Sequence, residues 1–289
     1  MPVNDDLTAL RVSVVTVCFN AEKTIEHVMN SVLSQDYAHF EYVIKDGASS
    51  DGTGAIIESF LPEFEKKGIT VSYVSEKDAG IYDAMNQAVK LCRGSFVIFM
   101  NADDRFYDDK VLSAVFTNHT YEESDVLYGD TLECEYGEYY YYMKNLDVIR
   151  QRMPFSHQSV FAKREVLLQY PFDLKYKLGA DYNFLLTAYA NGLKFTDVNT
   201  IVSVISKEGV SSVSLYDSFY EAVALRRAHG METLSDEELD KKFKYAKLKQ
   251  FGMDYFPDWL KYLIRKWQRF TRHQKRVYLD ETGHVKGTS

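Results

Sequence analysis

The chain has 289 residues, of which 46% are apolar and 15% aromatic, so it can bury a core and does not belong to the disordered class. It carries 34 Lys or Arg against 42 Asp or Glu, a net charge of −8, which argues against a dedicated nucleic-acid binder. The charge is unevenly spread: residues 241–289 hold 13 basic and 4 acidic residues, a net of +9, whereas residues 1–240 hold 21 and 38, a net of −17. An acidic body with a basic tail is predicted.

The cysteines and the N-terminus predict where the protein resides. Cys18, Cys92 and Cys134 show no CxxC spacing, which favours a reducing compartment over a disulfide framework or a zinc site. The polar N-terminus lacks the pattern of a signal peptide, and no stretch approaches the roughly 20 apolar residues of a membrane span. We therefore expect a cytoplasmic protein, which can still contact a membrane surface.

The first hundred residues alternate short apolar runs with apolar residues at helical spacing. This pattern predicts strands at 11–19, 40–45, 70–74 and 95–100, with helices at 21–35, 55–67 and from Ile81 to Cys92. Asn20 is expected to cap the first helix, and Gly94 to follow the third as its C′ residue. Repeated strand–helix units predict an α/β fold with a mostly parallel sheet flanked by helices.

Acidic and amide side chains follow the four predicted strands. In a parallel sheet the ligand lies beyond the carboxyl ends of the strands, so these residues should meet at one rim. The residues concerned are Asn20, Asp46, Glu76, Asp78, Asp103 and Asp104. The sequence thus predicts a carboxylate-rich site at this edge.

The second half is less regular. Residues 133–143 predict a hairpin around Gly137, with an aromatic sugar platform as the alternative for its tyrosines. Helices are predicted at 164–169 and 181–191. Tyr82 and Asn86 are assigned no functional role, because packing or capping explains them equally well.

Asp103 and Asp104 follow the fourth strand directly. Adjacent carboxylates repel one another, and a hard cation such as Mg²⁺ or Mn²⁺ would compensate them while leaving positions open for phosphate. A solvated turn is the alternative for this pair, and an ordinary turn aspartate is the alternative for Asp46. Neither motif decides the function alone.

Seven segments in order carry a family resemblance. They are VSVVTVCFNAEKTIEHVMNSVLSQ (12–35), YVIKDGASSDGT (42–53), SEKDAGIYDAMNQAV (75–89), FMNADDRFY (99–107), YGD (128–130), MPFSHQSVFAKREVL (153–167) and GADYNFLLTAYANG (179–192). With them the chain resembles the family-2 glycosyltransferases of the nucleotide-sugar-binding GT-A fold. It is most similar to bacterial enzymes of cell-surface polysaccharide assembly, of the colanic-acid type.

The resemblance implies a role for each matching residue. The residues that it implies in nucleotide binding are Thr16, Phe19, Asn20, Asp46, Asp78 and Asp103. Of Asp103 and Asp104, one would bind the metal that bridges to the diphosphate and the other would hold the ribose. Asn101 stands where the commoner DxD motif has its first acid, which leaves open which carboxylate is the metal ligand.

The remaining implied roles concern the reaction itself. Asp181 matches the family's base, which deprotonates the acceptor hydroxyl in an inverting transfer, and helix capping is its alternative role. His157 and Gln158 match a segment that faces the donor diphosphate or the acceptor.

The basic tail contains one amphipathic segment within residues 255–272. Its apolar stripe comprises Phe256, Trp259, Leu260, Leu263, Trp267 and Phe270, and the opposite side carries Lys261, Arg265, Arg269 and Arg272. This pattern is typical of a helix lying on an anionic membrane. A helix packed on the catalytic body or on a second subunit is the alternative.

Together these features predict residues 1–230 as the GT-A catalytic domain and 231–289 as a basic helical extension. The expected activity is inverting, metal-dependent transfer of a sugar from a nucleotide sugar, with a UDP-sugar as the expected donor, to a glycan or polyprenyl-linked acceptor in bacterial surface polysaccharide synthesis. The expected place is the cytoplasm, with peripheral attachment to the inner face of the cell membrane. A sugar nucleotidyltransferase and a non-catalytic nucleotide-sugar-binding protein are the alternatives, although CFNAEKT (18–24) lacks the Gly and Arg that the first would need.

Overall fold

A computed structural model describes residues 10–119, 121–142, 144–206, 215–232, 234–271, 275–280 and 284–288. Within these ranges the first half forms the elements β1 (Val12–Cys18), α1 (Ile25–Leu33), β2 (Phe40–Asp46), α2 (Thr53–Lys66), β3 (Thr70–Ser75), α3 (Ile81–Leu91), β4 (Phe96–Phe99), β5 (Arg105–Phe106) and α4 (Val111–Phe116). The second half forms β6 (Val126–Glu135), β7 (Glu138–Tyr142), β8 (Val160–Lys163), α5 (Arg164–Gln169), α6 (Ala180–Ala190), β9 (Phe195–Ser206), α7 (Leu215–Ala228), α8 (Asp236–Tyr255), α9 (Asp258–Thr271), β10 (Arg276–Leu279) and β11 (Val285–Thr288). Short 3₁₀ turns lie at Leu146–Val148 and His157–Ser159.

The described strands form one sheet in the order β11-β10-β7-β6-β8-β4-β1-β2-β3, with β9 beside β6 and β5. The segment β4-β1-β2-β3 is wholly parallel, which confirms the α/β fold with a parallel centre. Beyond β4 the pairing is antiparallel apart from the parallel pair β6–β9. The predicted hairpin around Gly137 is confirmed as β6 and β7.

Two apolar clusters cover the two faces of the sheet. Side chains of a strand point alternately to opposite faces, so Val15 and Val17 of β1 join one cluster while Val14 joins the other. The first cluster contains residues of α3, α5 and α6, and the second contains residues of α1, α2 and α4. Helices on both faces thus bury the sheet and leave its edge beyond the strand ends for ligands.

Two predicted helix boundaries are wrong. Asn20 does not cap α1, because the cap residue is Thr24, and Asn20 instead adopts a positive φ of 49° in the connection. Gly94 is not the C′ residue of α3, since the cap is Cys92 and Gly94 lies two residues beyond it. A Cβ at Gly94 would lie 2.5 Å from the Ser13 backbone nitrogen, so close packing on β1 accounts for the glycine.

The C-terminal extension packs on the catalytic body. A capping box at Ser235 and Glu238 begins α8, and the Phe243 ring packs on Phe219 of α7 with centroids 5.0 Å apart. The extension is not wholly helical, because β10 pairs with β7 and extends the sheet. None of the helices in the described ranges has the length and apolarity that crossing a bilayer requires.

Helix α9 turns its basic side toward the body and part of its apolar side toward solvent. Arg265 pairs with Glu135 of β6, and Tyr262 packs edge-on against Tyr136. Trp259 and Leu263 are 65% and 51% exposed. Of the predicted stripe and its basic side, the side chains of Trp267, Arg269 and Phe270, and the whole of Arg272, lie outside the described residues.

Candidate active site

A cleft of about 2390 Å³ opens beyond the carboxyl ends of the parallel strands. Its walls come from the segments after these strands, from the starts of α3 and α6, from the 3₁₀ turn at residues 157–159, and from α7, α8 and α9. Eight of the ten residues predicted for the site line it: Phe19, Asn20, Asp78, Asp103, Asp104, His157, Gln158 and Asp181. The structure therefore brings the strand-end rim and the distant segments 157–158 and 181 to one place.

Thr16 and Asp46 lie behind the cleft wall. The Thr16 hydroxyl donates to the Met100 carbonyl at 2.7 Å and bonds the Tyr42 hydroxyl at 2.8 Å. Asp46 is 1% exposed, and its carboxylate accepts hydrogen bonds from Ser49 and from the Ser75 hydroxyl. These hydrogen bonds connect neighbouring strands, so both residues stabilise the strand ends without lining the cleft.

The wall near β1 and β2 combines an exposed ring with a carboxylate. Phe19 is 65% exposed and lines the cleft beside Gly47. A Cβ at Gly47 would lie 2.8 Å from the Asp78 carboxylate and 3.3 Å from the Phe19 ring, so glycine permits this close approach. The buried Lys45 ammonium donates to the Asp46 carbonyl at 3.0 Å and lies 3.6 Å from the Asp78 carboxylate. An aromatic face next to a fixed carboxylate is suited to a nucleotide base.

Asn20, the residue after Phe19, forms hydrogen bonds with the loop that follows β2. Its side-chain oxygen accepts from the Ser50 backbone N–H at 2.9 Å, and its own N–H donates to the Ser49 hydroxyl at 2.8 Å. Its positive φ is a conformation that Asn adopts more readily than most residues. Asn20 thus joins the segment after β1 to the loop after β2 at the cleft margin.

The two adjacent carboxylates differ in their surroundings. Asp103 is exposed to the cleft, whereas Asp104 is 3% exposed and accepts a hydrogen bond from the Gln158 amide at 2.8 Å. Burial raises the pKa of Asp104, and the charge of Asp103 raises it further, while the Gln158 hydrogen bond lowers it. Holding both carboxylates ionised here is costly, and a bound cation would offset that cost.

The polar groups beside these carboxylates fit a divalent metal. The Asn101 side-chain oxygen is buried and has no hydrogen-bond partner among the described residues. No three His, Cys, Asp or Glu side chains of the described ranges converge to hold a metal by themselves. Mg²⁺ commonly binds through one or two carboxylates plus substrate phosphates, so this partial set fits a metal that arrives with a diphosphate. Asp103, Asp104 and the Asn101 oxygen are the groups available to hold it.

Asp181 is held on both carboxylate oxygens at the start of α6. One oxygen lies 2.9 Å from His157 Nδ1, and the other accepts from the Tyr82 hydroxyl at 3.2 Å and from the Tyr182 backbone N–H at 2.8 Å. The second nitrogen of His157, Nε2, lies 3.2 Å from the Asn101 amide nitrogen. A continuous chain of polar contacts therefore connects Asp181, through His157, to the segment that carries Asp103 and Asp104.

The charge state of His157 depends on this chain. Burial lowers the pKa of His157, but its hydrogen bond to Asp181 and the negative charges of Asp181, Asp104 and Asp103 raise it more, so the net shift is upward. The nearby carboxylates therefore favour the charged form of His157. The turn at 157–159 thus supplies a donor to Asp104 through Gln158 and a donor to Asp181 through His157.

Tyr82 and Lys45 contribute to the site but were not assigned by sequence reasoning. Tyr82 lies on α3, distant in sequence from Asp181, and the spacing of α3 indicated only a packing position. The lysine near the end of the predicted strand was the available signal for Lys45, because a buried ammonium needs specific partners. Asn86, by contrast, forms hydrogen bonds with the Phe172 backbone, which is a structural role.

The sequence model described as glycosyl transferase family 2 matches residues 13–173, more than half of the chain. The chain belongs to glycosyl transferase family 2. Membership confirms the predicted family and identifies the protein as a glycosyltransferase. It therefore favours glycosyl transfer over the nucleotidyltransferase and the non-catalytic alternatives.

A named relative and two solved structures resemble this glycosyltransferase. The PGL/p-HBAD biosynthesis glycosyltransferase of Mycobacterium bovis (strain BCG / Pasteur 1173P2) is 28% identical over 209 residues, which cover 71% of this chain and 80% of the relative. The structure of S. aureus TarS 1–349 in complex with UDP matches with a TM-score of 0.57 and 23% identity, covering 84% of this chain and 72% of the TarS 1–349 chain. Glucosyl-3-phosphoglycerate synthase from Mycobacterium tuberculosis, in complex with Mg²⁺ and UDP, matches with a TM-score of 0.54 and 18% identity, covering 78% of this chain and 81% of the synthase. The structural matches show the GT-A fold.

The contact between Tyr82 and Asp181 leads to a kinetic prediction for this glycosyltransferase. Tyr82→Phe removes the hydroxyl that orients one oxygen of Asp181 but keeps the buried ring. We expect the kcat for turnover of a nucleotide sugar to fall about tenfold while the KM for that donor changes little, because a hydrogen bond to a charged group is lost away from the donor. Steady-state kinetics of Tyr82→Phe and of its control, Tyr182→Phe, measure kcat and KM separately.

Tyr182→Phe is the matched control. It also removes a buried tyrosine hydroxyl, which donates to the Ile149 carbonyl at 2.6 Å and does not contact the Asp181 side chain. We expect its kcat to stay near that of the unmodified protein. Equal losses of kcat in both variants, or a loss confined to KM in Tyr82→Phe, would contradict a positioning role for Tyr82.

Proposed function

We propose that this chain is an inverting, metal-dependent glycosyltransferase that transfers a sugar from a UDP-sugar to a glycan or lipid-linked glycan of the bacterial cell surface. The observation that carries the proposal is the convergence of Asp103, Asp104 and Asp181 in one cleft, connected through the His157–Gln158 turn. The carboxylate pair is suited to the leaving diphosphate, and the third carboxylate is suited to the acceptor.

The donor nucleotide would lie between Phe19 and the strand-end carboxylates. The exposed Phe19 ring offers an apolar face for the base, while Asn20 and Asp78 offer polar groups at the same margin. Thr16 and Asp46 support this wall through their hydrogen bonds instead of lining it. UDP in the TarS structure and in the synthase structure supports uridine as the nucleoside.

Asp103 and Asp104, with the orphan oxygen of Asn101, would hold Mg²⁺ or Mn²⁺ together with the donor diphosphate. When bound, the metal stabilises the negative charge that develops on the departing nucleoside diphosphate. Asp103 is the more accessible candidate for direct metal contact, whereas Asp104 is buried under Gln158. The Mg²⁺ present in the synthase structure supports the use of a divalent metal.

Asp181 would act as the base. Its carboxylate accepts the proton of the acceptor hydroxyl as the hydroxyl oxygen forms a bond to the anomeric carbon. The bond from that carbon to the diphosphate oxygen breaks at the same time, and its electron pair leaves with the nucleoside diphosphate. Attack from the face opposite to the leaving group inverts the anomeric configuration. His157 and Tyr82 hold Asp181 in place for this step.

The arrangement of the C-terminal extension supports a location at the membrane. We assign residues 1–230 to the catalytic domain and 231–289 to an extension whose stripe, within residues 255–272, contacts the anionic inner face of the cell membrane from the cytoplasm. Trp259 and Leu263 are one helical turn apart, exposed, and outside the cleft lining. Apolar side chains on a helix beside a net positive tail suit attachment to an interface.

Titration with UDP tests the nucleotide and metal part of the proposal. We expect the unmodified protein to bind UDP in the presence of Mn²⁺, and Asp103→Asn or Asp104→Asn to weaken this binding by about tenfold or more, because a charged ligand or its neighbour is lost. Isothermal titration calorimetry with Mn²⁺ and with EDTA measures both effects. The variant that abolishes the Mn²⁺ dependence identifies the direct ligand.

Asp173→Asn provides the control for the UDP titration. It makes the same chemical change at a carboxylate that pairs with Lys175 at 2.9 Å and does not line the cleft. Its UDP affinity should match that of the unmodified protein. Absence of UDP binding by the unmodified protein, or equal affinity in all variants and in EDTA, would overturn the proposed donor site.

Flotation with vesicles tests the membrane part. We expect the protein to float with vesicles of phosphatidylcholine and phosphatidylglycerol, and the double variant Trp259→Ser/Leu263→Ser to lose about tenfold or more of this binding through the lost apolar area. The double variant Leu168→Ser/Leu174→Ser is the control, since both leucines are exposed and lie outside the cleft lining. Equal flotation of the two double variants would remove the proposed attachment.

A further inference from the structure

The segment directly before the proposed base has no regular structure of its own. Residues 177–179 lie outside the helices and strands, immediately before α6, and all three line the cleft. Gly179 is the cap residue of α6 and makes no side-chain cap hydrogen bond. Asp181 follows two residues later, so its position depends on how this short segment is held.

A carboxylate from another helix holds the segment. Glu221 of α7 accepts hydrogen bonds from three consecutive backbone N–H groups. Its Oε1 accepts from Lys177 at 3.0 Å, and its Oε2 accepts from Leu178 and Gly179, both at 2.9 Å. Hydrogen bonds to an ionised acceptor are stronger than neutral ones, and successive N–H groups can form a concave site that favours an anion. The Glu221 carboxylate thus gives this backbone the support that a helix or a strand would otherwise provide.

Helix α7 is packed closely against the start of α6. A Cβ at Gly179 would lie 3.0 Å from the Leu225 side chain, so glycine permits this close approach. Further along both helices, His229 Nε2 lies 3.0 Å from the side-chain oxygen of Asn183. Glu221 therefore extends from a packed helix, and a packed support is what precise positioning of a neighbouring group requires.

The charge of Glu221 also acts on a residue that contacts the proposed base. Burial raises the pKa of Tyr82, the Asp181 carboxylate raises it further, and the charge of Glu221 adds to the shift. The Tyr82 hydroxyl therefore keeps its proton and remains a donor to Asp181. Glu221 thus affects the surroundings of Asp181 through its charge as well as through the backbone.

We propose that Glu221 is a positioning residue for Asp181. It fixes residues 177–179 to α7, and this places the first turn of α6 so that the Asp181 carboxylate meets Tyr82 and His157. Glu221 does not line the cleft, so it acts through the backbone and not on a substrate. This inference rests on the proposed role of Asp181 as the base. The alternative is a contact that only stabilises the fold.

The dependence of a Glu221 variant on Asp181 separates positioning from general stability. Glu221→Gln removes the charge and puts an amide nitrogen where one acceptor oxygen stood. The measured rate is the release of UDP by hydrolysis of UDP-glucose, UDP-galactose or UDP-N-acetylglucosamine, whichever the unmodified protein hydrolyses fastest, with water in place of the acceptor. We expect kcat to fall about tenfold to a hundredfold, because a small displacement of a catalytic group is costly, while the KM for the donor is retained.

The same substitution is then made in the Asp181→Asn protein. There Glu221→Gln should lower kcat by less than about twofold, because the group that it positions is already lost. A contact that only stabilises the fold would lower kcat equally in both proteins.

Asp125→Asn is the matched control. The Asp125 carboxylate accepts from the Lys194 backbone N–H at 2.8 Å, on the segment that follows α6, and it does not line the cleft. Its kcat should stay near that of the unmodified protein. Amide hydrogen exchange at residues 177–179 should become about tenfold faster in Glu221→Gln and stay unchanged in Asp125→Asn, which tests the contact independently of any donor.

Gly179→Ala is a second variant of the same contact, for use where Glu221→Gln does not fold. Its Cβ crowds Leu225 and displaces the segment from α7, so we expect the same loss of kcat and the same dependence on Asp181. Unchanged kcat, an equal fall of kcat with and without Asp181, or unchanged amide exchange at 177–179 would overturn the positioning role while leaving the proposed function intact. Hydrolysis at the unmodified rate by Asp181→Asn alone would instead contradict the proposed base.

Discussion

The site depends on placing three carboxylates close together in a partly buried cleft. Asp103 and Asp104 are adjacent in sequence, and Asp104 is almost fully buried, so their mutual repulsion is weakly screened. Asp181 reaches the same cleft from α6. The structure offsets part of this charge with the Gln158 amide and with His157, whose pKa is raised, whereas the orphan amide oxygen of Asn101 is one more oxygen that a cation would satisfy. The negative charge that remains favours the binding of a divalent cation, which could then hold a diphosphate.

The short turn at residues 157–159 provides most of this compensation and is itself firmly anchored. The Ser159 hydroxyl bonds the hydroxyls of Thr131 and Ser203 at 2.6 and 2.7 Å, so the turn is fixed to β6 and β9. His157 and Gln158 therefore point into the cleft from a rigid support. This position lets one segment orient both the carboxylate proposed for the donor side and the carboxylate proposed as the base.

Sequence patterns predicted the features that depend on local spacing. The four parallel strands, the helices between them and the convergence of strand-end carboxylates follow from apolar periodicity and the rule for parallel sheets. The sequence could not show that Thr16 and Asp46 lie behind the cleft wall and do not line it. Whether a strand-end side chain is buried depends on its contacts with neighbouring strands, which the sequence pattern does not show. Tyr82 was missed for a similar reason: its hydroxyl meets Asp181 only through the packing of α3 against α6.

The orientation of the C-terminal tail was also not predictable from the sequence. Its amphipathic helix was predicted, but periodicity does not reveal which face meets the body. In the structure the basic residues Lys261 and Arg265 face the cleft while Trp259 and Leu263 face solvent, and β10 joins the sheet next to β7. The negative body and the positive tail thus meet across one cleft, where Arg265 of the tail pairs with Glu135 of the body.

The most direct test of this account is the rate of sugar transfer by Asp181→Asn. The substitution keeps the size of the side chain and can still accept from Tyr82, but it removes the proposed base. The account predicts that the kcat for transfer falls by about 10²- to 10⁴-fold, the usual contribution of a general base, while affinity for UDP with Mn²⁺ is retained. Transfer at the unmodified rate by a folded, UDP-binding Asp181→Asn protein would contradict it.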